Sequence, residues 1–170
     1  MSIIDSPLKN NHPEVKVAAQ NRRHARLLYV LYIGRHGELS NISNLLHHTL
    51  TFESSYPTLS AVLHDIAAEE LEHFRLLGEC IRLLGGNPIP HIPMGRGEGS
   101  VGIHNLDTQR SDDVIEVLRD TIASKQITLA QYKRIRESIE DLHVRELLDS
   151  IVKDEQKHIE LLSSIYESIA

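Results

Sequence analysis

The chain has 170 residues, of which 41% are hydrophobic, and this length and content suit one domain with a sizeable core. Aromatic residues make up only 4% and tryptophan is absent, a composition that favours helices over sheets. The formal net charge is −6 and the Lys and Arg residues are scattered, which argues against nucleic acid as a partner. The single cysteine, Cys80, excludes both an internal disulfide and a paired-cysteine metal site.

The N-terminal region gives no sign of a targeting or membrane segment. It lacks a basic stretch followed by an apolar run, and nowhere does the chain approach the ~20 apolar residues of a membrane span. We therefore expect a cytoplasmic protein with no membrane partner. Residues 1–21 are expected to form an N-terminal extension, and residues 22–170 a single helical domain.

Two helices with apolar stripes are predicted in the first half of the chain. The first spans about 22–52 and carries Glu38 inside its apolar stripe. The second begins near Pro57, a residue well suited to a helix first turn, and ends at the glycine pair that starts with Gly85. Its stripe is interrupted in the middle by a Glu-x-x-His pair that begins at Glu70.

Two further helices are predicted in the second half. The third follows Ser111, a good N-cap, and has Lys125 at the centre of its apolar stripe. The fourth runs from about Asp141 to the end and carries a second Glu-x-x-His pair, which begins at Glu155. The link between the second and third helices, residues 86–110, is rich in Gly and Pro and too long for a tight turn.

This pattern predicts an all-α, antiparallel four-helix bundle built from two helical hairpins. Short turns make neighbouring helices antiparallel, and the long link is best explained as a crossover along the bundle between helices 2 and 3. The two halves also resemble each other, because a shift of 85 positions lays residues 63–77 over residues 148–162 with their Glu-x-x-His pairs in register. A duplicated hairpin explains this match.

The two Glu-x-x-His pairs indicate a metal site. Residues three apart lie on one helix face, so Glu70 and His73, and likewise Glu155 and His158, can hold an ion from one side. Burying an unpaired carboxylate costs several kcal/mol, so inward glutamates need a shared cation. A single such pair is also typical of a surface ion cluster or a hydrogen-bonded core histidine. The prediction rests on both pairs together with Glu38.

Three segments resemble the ferritin-like superfamily: GRHGELSNI, IAAEELEHFRLLGECIRLLGGNP and VKDEQKHIELL. The nearest branches are the rubrerythrins, the bacterioferritins and the manganese-catalase-like bacterial proteins, and the resemblance covers residues from about 25 to 165. It implies a ferritin-like four-helix bundle that binds one or two ions of iron or manganese. The metal ligands that it implies are Glu38, Glu70, His73, Glu155 and His158.

The chain departs from this family on the third helix. A glutamate normally stands about seven residues before a tyrosine there, and in this chain Lys125 stands seven residues before Tyr132. Lys125 either extends to solvent or points inward. If it points inward, its +1 charge and the −3 of the three glutamates leave −2, which matches one divalent ion. A site with a single metal ion is therefore favoured.

Three kinds of function remain open at this point. The first is a metal protein that handles peroxide or oxygen, an oxidoreductase of the peroxidase, catalase or ferroxidase type if it is an enzyme, and as a peroxidase it would need a separate redox donor. The second is an iron-storage subunit. The third is a metal-free structural or interaction bundle whose core is a Glu/Lys/His salt-bridge network. A homodimer is expected because the polar helix faces still carry Leu and Tyr residues.

Overall fold

The computed structural model describes residues 12–89 and 111–170. These residues form an all-α bundle, as the sequence predicted. The two predicted hairpins are present, because α2 packs against α3 and α4 packs against α5. The crossover expected over residues 86–110 lies largely outside the described residues. None of the helices in the described ranges is long and apolar enough to cross a membrane. The helices are α1 (Arg22–Ile33), α2 (Glu38–Phe52), α3 (Pro57–Leu83), α4 (Val114–Ser138) and α5 (Leu142–Ile169).

The first predicted helix is broken, which corrects the single helix expected over 22–52. The chain turns at Gly34 to Gly37, and α2 begins at Glu38. A Cβ atom on Gly34 would lie 2.2 Å from the carbonyl oxygen of Val30, and one on Gly37 would lie 2.6 Å from that of Leu31. Only glycine allows this close approach of two backbone segments. The break places Glu38 in the first turn of a helix, where the helix dipole favours a carboxylate.

The other helix boundaries follow ordinary capping chemistry. Asp113 and Asp141 cap α4 and α5 by accepting hydrogen bonds from backbone N–H groups in the first turn. The N-cap of α4 is thus Asp113 and not Ser111, because the Ser111 hydroxyl instead donates to Glu116. Pro57 occupies the first turn of α3, and Gly85, with φ of 84°, follows its end as the sequence predicted.

A polar layer divides the hydrophobic core. One apolar cluster includes Leu28, Leu77 and Leu148, and the other includes Leu45 and Leu118. In α3, α4 and α5 the buried charged and histidine side chains lie between residues of the two clusters along the helix. The polar layer is therefore covered by packed aliphatic side chains on both sides.

Residues 12–21 lie against the bundle. Val15 and Val17 pack against the first apolar cluster, and the backbone N–H of Ala18 donates a 2.7 Å hydrogen bond to Asp141. The side chain of His12 is only 8% exposed and reaches Asp154 on α5. The N-terminal extension thus contributes a side chain to the neighbourhood of the polar layer.

Candidate metal centre

Four of the predicted ligands meet in the polar layer. Glu38 comes from α2, Glu70 and His73 from α3, and Glu155 from α5, and all four are buried. Each contributes one ligand atom to a group in which all atoms lie within 4.8 Å of one another. Nδ1 of His73 lies 3.6 Å from Glu155 Oε1 and 3.9 Å from Glu70 Oε2. Oxygen and imidazole donors this close together can bind one divalent ion.

Lys125 points into this layer. It is 2% exposed, and its Nζ lies 3.1 Å from Glu155 Oε2 and 3.4 Å from Glu155 Oε1. The same nitrogen donates a short hydrogen bond to Glu70 Oε1. The alternative in which Lys125 extends to solvent is therefore wrong. Its ammonium lies between two carboxylates, as a bridging cation would.

His158 is close to the four-residue group but does not join it. Its Nδ1 lies 3.0 Å from Glu70 Oε1, the same oxygen that Lys125 contacts. Its Nε2 lies 2.5 Å from Glu69 Oε2. His158 and Lys125 thus approach the same oxygen of Glu70.

The carboxyl groups of the layer have opposite protonation preferences. Burial and the nearby charges of Glu70 and Glu155 raise the pKa of Glu38 well above its usual range. Burial would also raise the pKa of Glu70, but the positive charge of Lys125 and hydrogen bonds from Glu38, His158 and His73 together hold that pKa well below its usual range. Burial opposes the charge of Lys125 too, yet the surrounding carboxylates raise its pKa. Before any ion binds, these shifts favour the neutral form of Glu38 and the charged forms of Glu70 and Lys125.

Acidic residues next to the predicted ligands hold the two histidines. Nε2 of His73 lies 3.6 Å from Asp154 Oδ2, just as Nε2 of His158 contacts Glu69. Burial would lower the pKa of His73, but Asp154 and the neighbouring glutamates raise it well above 6.5. Each histidine thus pairs with the residue immediately before the glutamate of the other hairpin. The sequence carried this signal, since Glu69 and Asp154 match in the internal repeat.

Tyr132 is a further residue of the centre. It is fully buried, and its hydroxyl donates a short hydrogen bond to Glu38 Oε1. This hydrogen bond connects α4 to the start of α2. Tyr29 and Tyr32 lie elsewhere, because their hydroxyls donate to the backbone carbonyls of Asn87 and Pro88, beyond the end of α3.

The donor set fits a cation. Glu38 Oε2, Glu70 Oε2 and Nδ1 of His73 are buried and have no hydrogen-bond partner among the described residues. Buried polar atoms are normally paired, so buried ligand atoms that lie close together without such a partner are an expected property of a metal site. The residues that would hold an ion are Glu38, Glu70, His73 and Glu155.

A cavity of about 220 Å³ adjoins the centre on the side of the helix break. Its lining includes Arg35 and His36 from the break, Asn41 from α2, and Ser124 and Lys125 from α4. Because Lys125 contacts both the cavity and the carboxylates, a small molecule in this cavity would lie next to the centre.

Comparison with known proteins agrees with this geometry. The family described as "Ferritin-like domain" matches residues 36–170, which include every predicted ligand. The chain belongs to this family. Its ferritin-like fold explains why two hairpins bring Glu-x-x-His pairs together in a bundle core. The superfamily assignment and the fold class predicted from the sequence are confirmed.

Individual ferritin-like relatives extend the comparison. A probable manganese catalase of Clostridium acetobutylicum is 27% identical over 166 residues, covering 87% of this chain and 72% of that protein. The manganese catalase KatB from Anabaena has the same fold, with a TM-score of 0.79 and 21% identity, over 95% of this chain and 78% of that one. The Desulfovibrio desulfuricans bacterioferritin, which has a diiron site, gives a TM-score of 0.69 and 24% identity, covering 89% of this chain and 85% of its own. These comparisons and the buried cluster support a metal-binding ferritin-like protein.

Proposed function

We propose that this ferritin-like protein binds one iron or manganese ion between Glu38, Glu70, His73 and Glu155 and handles peroxide or dioxygen there. The observation that carries the proposal is the four-residue group of buried ligand atoms within 4.8 Å, several of which have no hydrogen-bond partner among the described residues. The similarity to manganese catalases and to a diiron bacterioferritin supports iron or manganese as the ion.

Lys125 limits the proposed centre to one ion. Its ammonium contacts Glu70 and Glu155, the two carboxylates that could bridge a pair of ions. Fully ionised, Glu38, Glu70 and Glu155 supply −3 and Lys125 supplies +1, so one divalent ion makes the centre neutral. A second ion would leave uncompensated positive charge in a dry core, which is costly. His158, whose Nδ1 lies 3.0 Å from Glu70 Oε1, then contributes a charge contact to Glu70 and is not a ligand.

The protein's own residues prepare the centre for the ion. Glu38 and His73 must each release a proton before they can bind, so binding is coupled to proton release. Tyr132 holds Glu38 in position, and Asp154 orients His73 so that Nδ1 faces the carboxylates. The bound metal would supply electron transfer with peroxide or dioxygen. Lys125, which also lines the cavity, would attract an anionic oxygen of the substrate.

Metal analysis of reconstituted protein tests the proposal. Full-length chain is stripped with chelator, loaded with excess Mn²⁺ or Fe²⁺, desalted and analysed for metal per chain. We expect one tightly bound ion in the unmodified protein, and a rise toward two in Lys125→Glu, because that change restores a fourth carboxylate. Peroxide consumption and ferrous oxidation are measured on the same samples.

Lys133→Glu is the matched control, because it makes the same charge change at an exposed position of the same helix. It should leave the metal content at one. Two ions in the unmodified chain, or none after loading with either metal, would overturn the proposal.

A metal-free bundle is the second candidate function, and the Lys125 contacts favour it. The ammonium already compensates Glu70 and Glu155, so the polar layer can be buried without an ion. Under this alternative the protein is a structural or interaction bundle. Its melting temperature would not change when Fe²⁺ or Mn²⁺ is added, whereas the leading proposal requires a rise that Glu70→Gln reduces.

A further inference from the structure

A second group of donor atoms lies next to the proposed centre, on the side covered by the N-terminal segment. It consists of His12, His73 and Asp154, whose ligand atoms lie within 4.8 Å of one another. His12 is brought there by residues 12–21, which pack along the bundle. The group lies near the surface, because Lys157, whose side chain is 58% exposed, contacts the other oxygen of Asp154.

Hydrogen bonding at Ser150 fixes which nitrogen of His12 can act as a donor to a metal. The Ser150 hydroxyl donates to the backbone carbonyl of Leu147 at 2.7 Å, so its oxygen accepts the 2.9 Å hydrogen bond from Nδ1–H of His12. In the neutral ring Nε2 then carries the lone pair. This nitrogen lies 3.5 Å from the carboxylate oxygen Oδ2 of Asp154. Two acceptors facing each other repel unless a cation or a proton lies between them.

The distances match those between ligands of a tetrahedral ion. Oδ2 of Asp154 is 3.5 Å from Nε2 of His12 and 3.6 Å from Nε2 of His73, both longer than a normal hydrogen bond. Metal–ligand bonds of 2.0–2.1 Å at tetrahedral angles give a ligand–ligand distance of about 3.4 Å. Oδ2 of Asp154 and Nε2 of His73 are both buried, and neither has a hydrogen-bond partner in the part of the chain that the structure describes.

We propose that His12, His73 and Asp154 form a second metal site, outside the core centre of three glutamates and one histidine, that takes a divalent ion of the zinc class. Two imidazoles and one carboxylate suit Zn²⁺ or Co²⁺, and solvent completes the tetrahedron as a fourth ligand. The site does not require the core centre to hold an ion, although both use the ring of His73.

The shared ring makes the two sites alternatives within one chain. A neutral imidazole has a single lone pair, so His73 binds the outer ion through Nε2 or the core ion through Nδ1. When Nδ1 binds in the core, Nε2 carries the proton and faces Asp154. An ion in the outer site therefore competes with one in the core.

Titration of metal-stripped, full-length protein with Co²⁺ tests this site, with visible absorption reporting tetrahedral coordination. Unmodified protein should give the visible absorption of tetrahedral Co²⁺, and Glu38→Gln should keep this absorption with equal or higher affinity, because loss of a core ligand weakens only the competing centre. His12→Ala should weaken binding by more than about tenfold, the effect of losing even an outer partner of a metal ligand. Asp154→Asn, a second variant that retains the side-chain volume, should weaken it likewise.

His64→Ala is the matched control, because His64 is an exposed histidine beside an aspartate, 3.8 Å from Asp65. It should bind Co²⁺ like the unmodified chain, and all variants keep the remaining histidines, so adventitious binding cancels. Unchanged affinity and spectrum in His12→Ala would overturn the second site, as would loss of the spectrum in Glu38→Gln alone. Neither result bears on the Mn²⁺ or Fe²⁺ content of the core, so the two proposals fail separately.

Discussion

Replacing Lys125 with methionine removes the buried charge while keeping the side chain long and apolar. In metal-stripped protein this leaves Glu70 and Glu155 without the ammonium that contacts both of them. Both carboxylates are fully buried, and Lys125 is 2% exposed, so bulk solvent screens the remaining charges poorly. We expect Lys125→Met to destabilise the stripped protein strongly.

The size of the effect follows from the burial. Removing one partner of a buried ion pair costs about 3–5 kcal/mol, because the other charge remains uncompensated. In a chain of this length each kcal/mol lowers the melting temperature by about 2–4 °C, so the fall should be roughly 6–20 °C. Because Lys125 holds the pKa of Glu70 well below its usual range, this stabilisation is present above the unfolded pKa of glutamate, about 4.3. It is lost as the pH falls below that value toward the folded pKa.

Thermal unfolding followed by circular dichroism, from pH 3 upward, measures both the fall in melting temperature and its dependence on pH. Lys133→Met is the control on the same helix, and as an exposed substitution it should stay within about 0.5 kcal/mol of the unmodified protein. Mn²⁺ should recover part of the loss in Lys125→Met, because an ion can take the place of the ammonium. A melting temperature for Lys125→Met equal to that of Lys133→Met at neutral pH would refute the reasoning.

Three more outcomes are expected. The pKa of His73 is raised well above 6.5, so the stripped protein should lose stability as the pH rises from 6.5 through the folded pKa, and a melting series on His73→Gln should lack this slope. Gly37→Ala places a Cβ 2.6 Å from the carbonyl oxygen of Leu31, and chemical denaturation should show a loss of about 1–3 kcal/mol; an unchanged midpoint would mean that the turn relaxes freely. Tyr132→Phe removes the hydroxyl that donates to Glu38, which should cost about 1–3 kcal/mol in the same assay, and a neutral result would show that another group replaces this donor.

The sequence predicted those parts of the centre that depend on spacing within one helix. Glu70 and His73 are three residues apart, and helical geometry alone puts them on one face. The inward direction of Lys125 could be stated only as one of two alternatives, because a register error of one residue turns a side chain by about 100°. The contacts with Glu70 and Glu155 decide between these alternatives.

Other parts depend on tertiary contacts that no local pattern encodes. The helix break before Glu38 was missed because Gly34 fits the apolar period of a continuous helix, and the close backbone approach that requires glycine appears only in three dimensions. The second Glu-x-x-His pair and the family resemblance predict His158 as a ligand. The structure places it against the oxygen of Glu70 that Lys125 occupies, where the ammonium takes the position of an ion. His12 approaches Asp154 across most of the chain, so its role could not be predicted from spacing.

The reciprocal pairing of the histidines has a consequence for folding. His73 on α3 contacts Asp154 and Glu155 on α5, and His158 on α5 contacts Glu69 and Glu70 on α3. Contacts inside each hairpin join segments close in sequence and are expected to form early, whereas these histidine contacts exist only after the hairpins dock. Its charges must then lose their water in that late step. The protons or ions that neutralise the layer should therefore change the rate at which the two halves dock and leave the formation of each half unaffected.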